Sequence, residues 1–131
     1  MLELIIDGEE PNVSGKHCEE VLAVTYWHAG ELTEEVNSAH LKIDGRWIRL
    51  FFDHGIVFWR RDSGRPEPYE APELNSRYSV TDIGQKENLR GQVLSGISTS
   101  PTAHGARVAF DFENGRTLVF EDEHDRSRYA C

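Results

Sequence analysis

Apolar and polar side chains alternate singly along most of this chain, which is the period of a half-buried β-strand. Leu41 and Ile43 open one such run, and Asp44-Gly45, a dipeptide suited to two-residue hairpin turns, closes it. An alternating strand over 46–52 follows, then a glycine-closed turn at Asp53-His54-Gly55 and a strand over 56–61. The pattern recurs as strand 106–112, turn Glu113-Asn114-Gly115 and strand 116–121. Gly45 and Gly55 lie 60 positions before Gly105 and Gly115, and Ile48, Leu50 and Phe52 match Val108, Phe110 and Phe112 in the same register. Upstream, Gly8, Asn12, Val13 and Gly15 match Gly84, Asn88, Leu89 and Gly91 at an offset of 76, and "VLAVTY" (21–26) answers "VLSGIS" (93–98).

These matches predict an all-β or β-rich domain, α+β with at most one short helix. Two duplicated antiparallel meanders would form a pseudo-symmetric barrel or sandwich, because one copy alone cannot bury its apolar face. The first half is expected over 1–62, with an insertion at 27–40, and the second over 78–131. The two together make one compact domain. Between them, 63–77 holds three of the five prolines and reads as a semi-rigid connector rather than a strand. Leu32 and Val36, spaced i and i+4, predict the short helix over 31–38.

Pairing the strands across each turn sorts the side chains by face. Ile48, Leu50, Phe52, Ile56 and Phe58 are expected inside, with Val108, Phe110, Phe112, Leu118 and Phe120 as their counterparts. The opposite face of the second copy is polar. That of the first carries Trp47, Arg49, Phe51, Val57, Trp59 and Arg61, with Arg49 facing Trp59 in a geometry open to cation–π contact. Either the insertion folds over this face, or the face is a docking surface anchored by Trp47, Arg49, Phe51 and Trp59. In the second case Trp59→Ala leaves folding intact and removes partner binding.

Charge narrows the partners. The 131 residues carry 23 acidic and 14 basic side chains, a formal net charge of −9. Such a balance repels phosphate backbones and draws basic partners, so no nucleic acid is expected. No apolar stretch approaches a membrane span, "MLELIIDGEEPN" lacks a basic leader region, and Cys18 and Cys131 read as reduced thiols. A cytoplasmic location and no membrane association are the expectation.

Chemistry is sparse. The six histidines are scattered, with no His-x-His pair, no zinc-spaced cysteines and no His-Glu-x-x-His, so neither a metal nor a cofactor is expected. No nucleophile elbow, phosphate loop or dinucleotide fingerprint occurs, and no catalytic residue is assigned. The run "EDEHDRSR" (121–128) reads as a solvated tail. The expectation is therefore a non-enzymatic acidic binding module recognising a basic protein, in an immunity or inhibitor-type role. The alternatives are a homodimer through the aromatic face, or a small-molecule-binding β-barrel, enzymatic or not, with its site at the seam between the halves.

Overall fold

The alternating stretches fold as strands in a computed structural model, which describes residues 3–61 and 64–131. The expected boundary between first half and connector, at 62 and 63, lies outside the described residues. In chain order the elements begin with β1 (Ile6–Asp7), β2 (His17–His28), β3 (Glu31–Ile43), β4 (Arg46–Asp53) and β5 (Ile56–Arg61). They continue with β6 (Tyr69–Ala71), a 3₁₀ turn (Pro72–Leu74), β7 (Ser76–Asp82) and helix α1 (Ile83–Lys86). The chain closes with β8 (Gln92–Pro101), β9 (Gly105–Phe112), β10 (Thr117–Glu123) and β11 (Arg126–Ala130). Strand accounts for 64% of the described residues.

The strands form one large, mostly antiparallel open sheet in the order β1-β5-β4-β3-β2-β8-β9-β10-β11. Among the described residues, only the pairing of β1 with β5 is parallel. Strand β2 is the pivot: one edge pairs with β3, while the other pairs first with β8 at His17 and Cys18 and then with β7 from Leu22 to His28. β6 adds to the far side of β7. The sheet curls so that β11 lies beside the N-terminal half of β3, where the Glu34 carboxylate accepts from the Ser127 N–H. Inside the curl sits one core, including Val21, Leu41, Leu50, Val57, Trp59, Leu94, Phe110, Leu118 and Phe120.

Three expectations about elements are corrected. Residues 31–38 are strand, not helix, and the insertion extends β2 and β3 outward in the plane of the sheet instead of folding over it. The connector is partly ordered structure: it holds β6, the 3₁₀ turn and the start of β7, with Pro68 and Pro72 immediately flanking β6. The supposed tail completes β10, turns at His124-Asp125 and returns as β11.

The fourth correction concerns faces. Between β4 and β5, the first of two hairpins, the turn is the two residues His54-Gly55, both at positive φ (52° and 76°), with Asp53 paired to Ile56. In the second it is a three-residue loop, 113–115, because Phe112 pairs through its N–H with the Arg116 carbonyl. Matching glycine to glycine therefore sets the two returning strands one residue out of step. Since side chains alternate with period two, that single position exchanges the faces of β5. Val57 and Trp59 point into the core, the latter 2% exposed, while Ile56 and Phe58 point outward and stay half-buried.

Candidate functional site

The outward face of β4 and β5 keeps three of the four expected anchors: Trp47, Arg49 and Phe51 are half-buried there, while Trp59 belongs to the core. Arg49 stands opposite Arg60 rather than Trp59, and Phe51 opposite Phe58. The two phenyl rings stack in parallel, centroids 4.7 Å apart. Each guanidinium lies over the phenyl two residues away on its own strand, Arg49 over Phe51 at 4.5 Å and Arg60 over Phe58 at 5.5 Å. Arg60 also pairs with Asp7 at 2.8 Å, which relieves the like-charge opposition with Arg49. The patch is thus closed on itself by stacking.

Further along the same face, His40 lies opposite Arg49 and is buried, its Nε2 2.9 Å from the Ser38 hydroxyl. Burial, and then the Arg49 charge, lowers its pKa to about 4, so the ring is neutral at pH 7. Cys18, within the core, is pushed up to about 12 by burial and then by Glu19, which leaves it a protonated thiol without nucleophilic character.

A different surface gathers exposed apolar and acidic side chains. Beyond Val24, the distal parts of β2 and β3 continue as a ribbon with β7 and β6. One row across it reads Glu34, Tyr26, Tyr78, Tyr69, and the next reads Leu32, Trp27, Arg77, Glu70. Tyr26 and Tyr78 have ring centroids 5.0 Å apart, and Tyr78 and Tyr69 6.5 Å. On the opposite face Trp27 donates to the Ser79 hydroxyl at 2.9 Å, and Arg77 covers its ring at 4.8 Å. Leu32 (54% exposed), Tyr69 (60%) and Leu74 (64%) are the three most exposed large hydrophobic residues among those described. Glu31, Glu35, Glu67, Glu70 and Glu73 lie around them and form no ion pair among the described residues, while Arg77 stands within the ribbon and Arg126 and Arg128 line the cleft beside Leu32.

Three of the scattered histidines meet in space. The turns His54-Gly55, 102–104 and His124-Asp125 converge at one end of the sheet around a cleft of about 560 Å³. The His54 N–H donates to Asp125 at 3.0 Å and the His124 N–H to the His104 carbonyl at 3.2 Å. The rings of His104 and His124 stack with centroids 4.1 Å apart. No group of three metal-ligating side chains converges among the described residues. Beneath this end lies Asp122, 1% exposed, accepting from the Ser127 hydroxyl at 3.0 Å. Burial holds its carboxyl above the ordinary aspartate range, and burial does the same to Glu34. Sequence alone offered no signal for a buried carboxylate here, since Asp122 stands within an acidic run that reads as solvated. No known protein family matches the chain, and neither a curated protein nor a solved structure resembles it.

The buried Cys18 thiol is protonated and the buried His40 imidazole is neutral at pH 7. The Thr102 hydroxyl is turned to the Asp122 carbonyl at 3.5 Å.

Proposed function

We propose that this protein is a non-enzymatic acidic binding module that docks a basic protein, and that the docking surface is the β3-β2-β7-β6 ribbon. The observation that carries this reading is the coincidence, on one ribbon, of exposed Leu32 on one face, exposed Tyr69 on the other and exposed Leu74 beside them with five carboxylates, Glu31, Glu35, Glu67, Glu70 and Glu73, that form no ion pair among the described residues. Apolar anchors supply affinity once water is excluded, and unpaired like charges accelerate encounter with a partner of opposite sign. An immunity-like or inhibitor-like role, masking a basic enzyme, fits that chemistry. Arg49 and Phe51 move to the margin of the proposal, because the Phe58 ring and the Arg49 guanidinium already cover Phe51, and Trp47, at the other end of β4, is half-buried and apart from the ribbon. The likeness between the two meanders is read as duplication, with the ribbon as the feature the first copy gained.

The test compares immobilised wild-type protein with Glu31→Lys/Glu73→Lys in capture from the native lysate, followed by calorimetry on whatever is retained. A basic protein should bind wild type, weaken steeply from low to moderate salt, and be lost at least tenfold from the double variant. Equal retention by both proteins sinks the ribbon as the docking site. Retention only of the protein's own copies points instead to a homodimer.

A further inference from the structure

Four half-buried aromatic rings carry a cation of their own chain. Arg49 and Arg60 lie over Phe51 and Phe58, Arg77 covers Trp27 at 4.8 Å, and the Lys86 ammonium stands 6.0 Å from the Tyr129 ring centroid. The tyrosine row of the ribbon has no such cation among the described residues. Tyr26, Tyr78 and Tyr69 are partners across β2, β7 and β6, so the three share one face. Neighbouring rings are inclined by 34° and 40°, with centroids 5.0 and 6.5 Å apart, which makes a stepped strip rather than a closed stack. The inner end is fixed, because the Tyr26 hydroxyl lies 3.0 Å from the Ser76 hydroxyl. At the outer end Tyr69 is 60% exposed. Arg77 belongs to the opposite face, beside Trp27.

We propose that the tyrosine row receives arginine side chains of the basic partner, a guanidinium against the exposed ring of Tyr69 and its aliphatic stem along Tyr78. The inference rests on the ribbon being the docking surface, and it names what is recognised there. An aromatic face carries the negative part of the ring quadrupole and attracts a cation. A guanidinium is planar, more weakly hydrated than an ammonium, and stacks on such a face, so the row selects arginine over lysine. Charge complementarity argues for a cation in place of a neutral group. Glu31 at the start of β3, Glu67 and Glu70 in and before β6, and Glu73 in the 3₁₀ turn form no ion pair among the described residues. The chain makes the same contact with itself on the other face, where Arg77 covers Trp27. A proline-rich segment also docks on aromatic-lined surfaces, but it brings no charge to these carboxylates.

The test titrates the full chain with a capped peptide of alternating arginine and glycine, and with the same peptide carrying lysine at every arginine, and follows the tyrosine rings in ¹H–¹³C spectra. Saturable shifts are expected at Tyr69 and Tyr78, with the arginine peptide bound about threefold more tightly or better, the scale of one exposed cation–π contact. Tyr69→Leu keeps apolar bulk without the ring face and should cancel that preference, whereas Tyr69→Phe should preserve it. Both substitutions fall on an exposed side chain of a three-residue edge strand, so the core signals should stay in place. Glu31→Lys/Glu73→Lys should weaken both peptides alike. Equal affinity for the two peptides, each weakened by the charge reversal, overturns the arginine inference and leaves the ribbon as the docking surface. A preference that survives Tyr69→Leu, or shifts that centre away from the tyrosine row, overturn it as well. Absence of any shift on the ribbon at millimolar peptide overturns both readings.

Discussion

Burying Trp59 removes an indole from water and sets it edge-on to Phe110, ring centroids 6.1 Å apart, which in turn meets Phe120 edge-on at 6.0 Å. The cost is its Nε1–H, buried with no hydrogen-bond partner among the described residues. Leaving one such donor unsatisfied forfeits about 1–3 kcal/mol, against a gain from aromatic burial and edge contacts that exceeds it. Two substitutions separate the terms. Trp59→Ala is expected to lower unfolding free energy by about 3–5 kcal/mol, because it opens a cavity among Phe110, Leu50 and Val57. Trp59→Phe removes the unsatisfied donor with most of the ring retained and is expected to cost far less. Urea denaturation of both variants checks this, and a Trp59→Ala protein of unchanged midpoint would return residue 59 to the surface.

At the scale of elements, turn length governs more than strand composition does. Gly105 shows how little room the connections leave: a Cβ there would stand 1.9 Å from the Asp122 carbonyl oxygen. Gly105→Ala is therefore expected to cost upward of about 3 kcal/mol, as backbone must move to accept it. Gly115→Ala, at φ +90° but in open space, should cost only about 1–2 kcal/mol of local conformational strain. Thermal or urea midpoints of the two variants, ranked in that order, are the check. The end of β3 and strands β4, β5, β9 and β10 are legible in the sequence because their alternation is bounded by glycine-bearing turns. The face of β5 is not, since a two-residue and a three-residue turn both end in glycine and only the register distinguishes them. The helix expected at 31–38 rested on Leu32 and Val36, and a spacing of four satisfies both the helical period and the strand period. The hairpin at His124-Asp125 escapes notice because neither residue is glycine, although both adopt positive φ (53° and 60°). The meeting of His54, His104 and His124 is tertiary, and no spacing along the chain encodes it. The ribbon's acids and aromatics are all visible in the sequence, but their neighbourhood depends on β7 pairing with β2, a contact between residues some fifty positions apart.

Across the whole molecule, stability on the acid side of neutrality is a balance of two titrations with opposite sign. His40 has a folded pKa of about 4 against an ordinary value of 6.5, so the unfolded chain takes up the proton first and stability is lost as pH falls through that interval. The limit is about 3 kcal/mol, from a shift of that size at 1.36 kcal/mol per unit. Asp122 and Glu34 act the other way. Their folded pKa values are raised, so their contribution to stability is full at low pH and declines as pH rises past the ordinary carboxylate range. Variants resolve the two limbs: His40→Gln should flatten the loss between pH 6.5 and 4, and Asp122→Asn should raise the thermal midpoint at pH 7 by on the order of a few degrees, with the gain shrinking toward pH 4. Parallel curves for wild type and both variants would remove these groups from the account. The same molecule-wide view bears on how a partner is read. Strand β6 is only three residues long and stands between two prolines, which lack the N–H that a joining strand would need at either end. The β6 edge of the ribbon therefore resists backbone-to-backbone extension. A basic partner docking at that edge, as proposed, would be recognised through side chains, which would leave the incoming chain free to be helical and make its pattern of basic and apolar residues, rather than its strand propensity, the property on which selection acts.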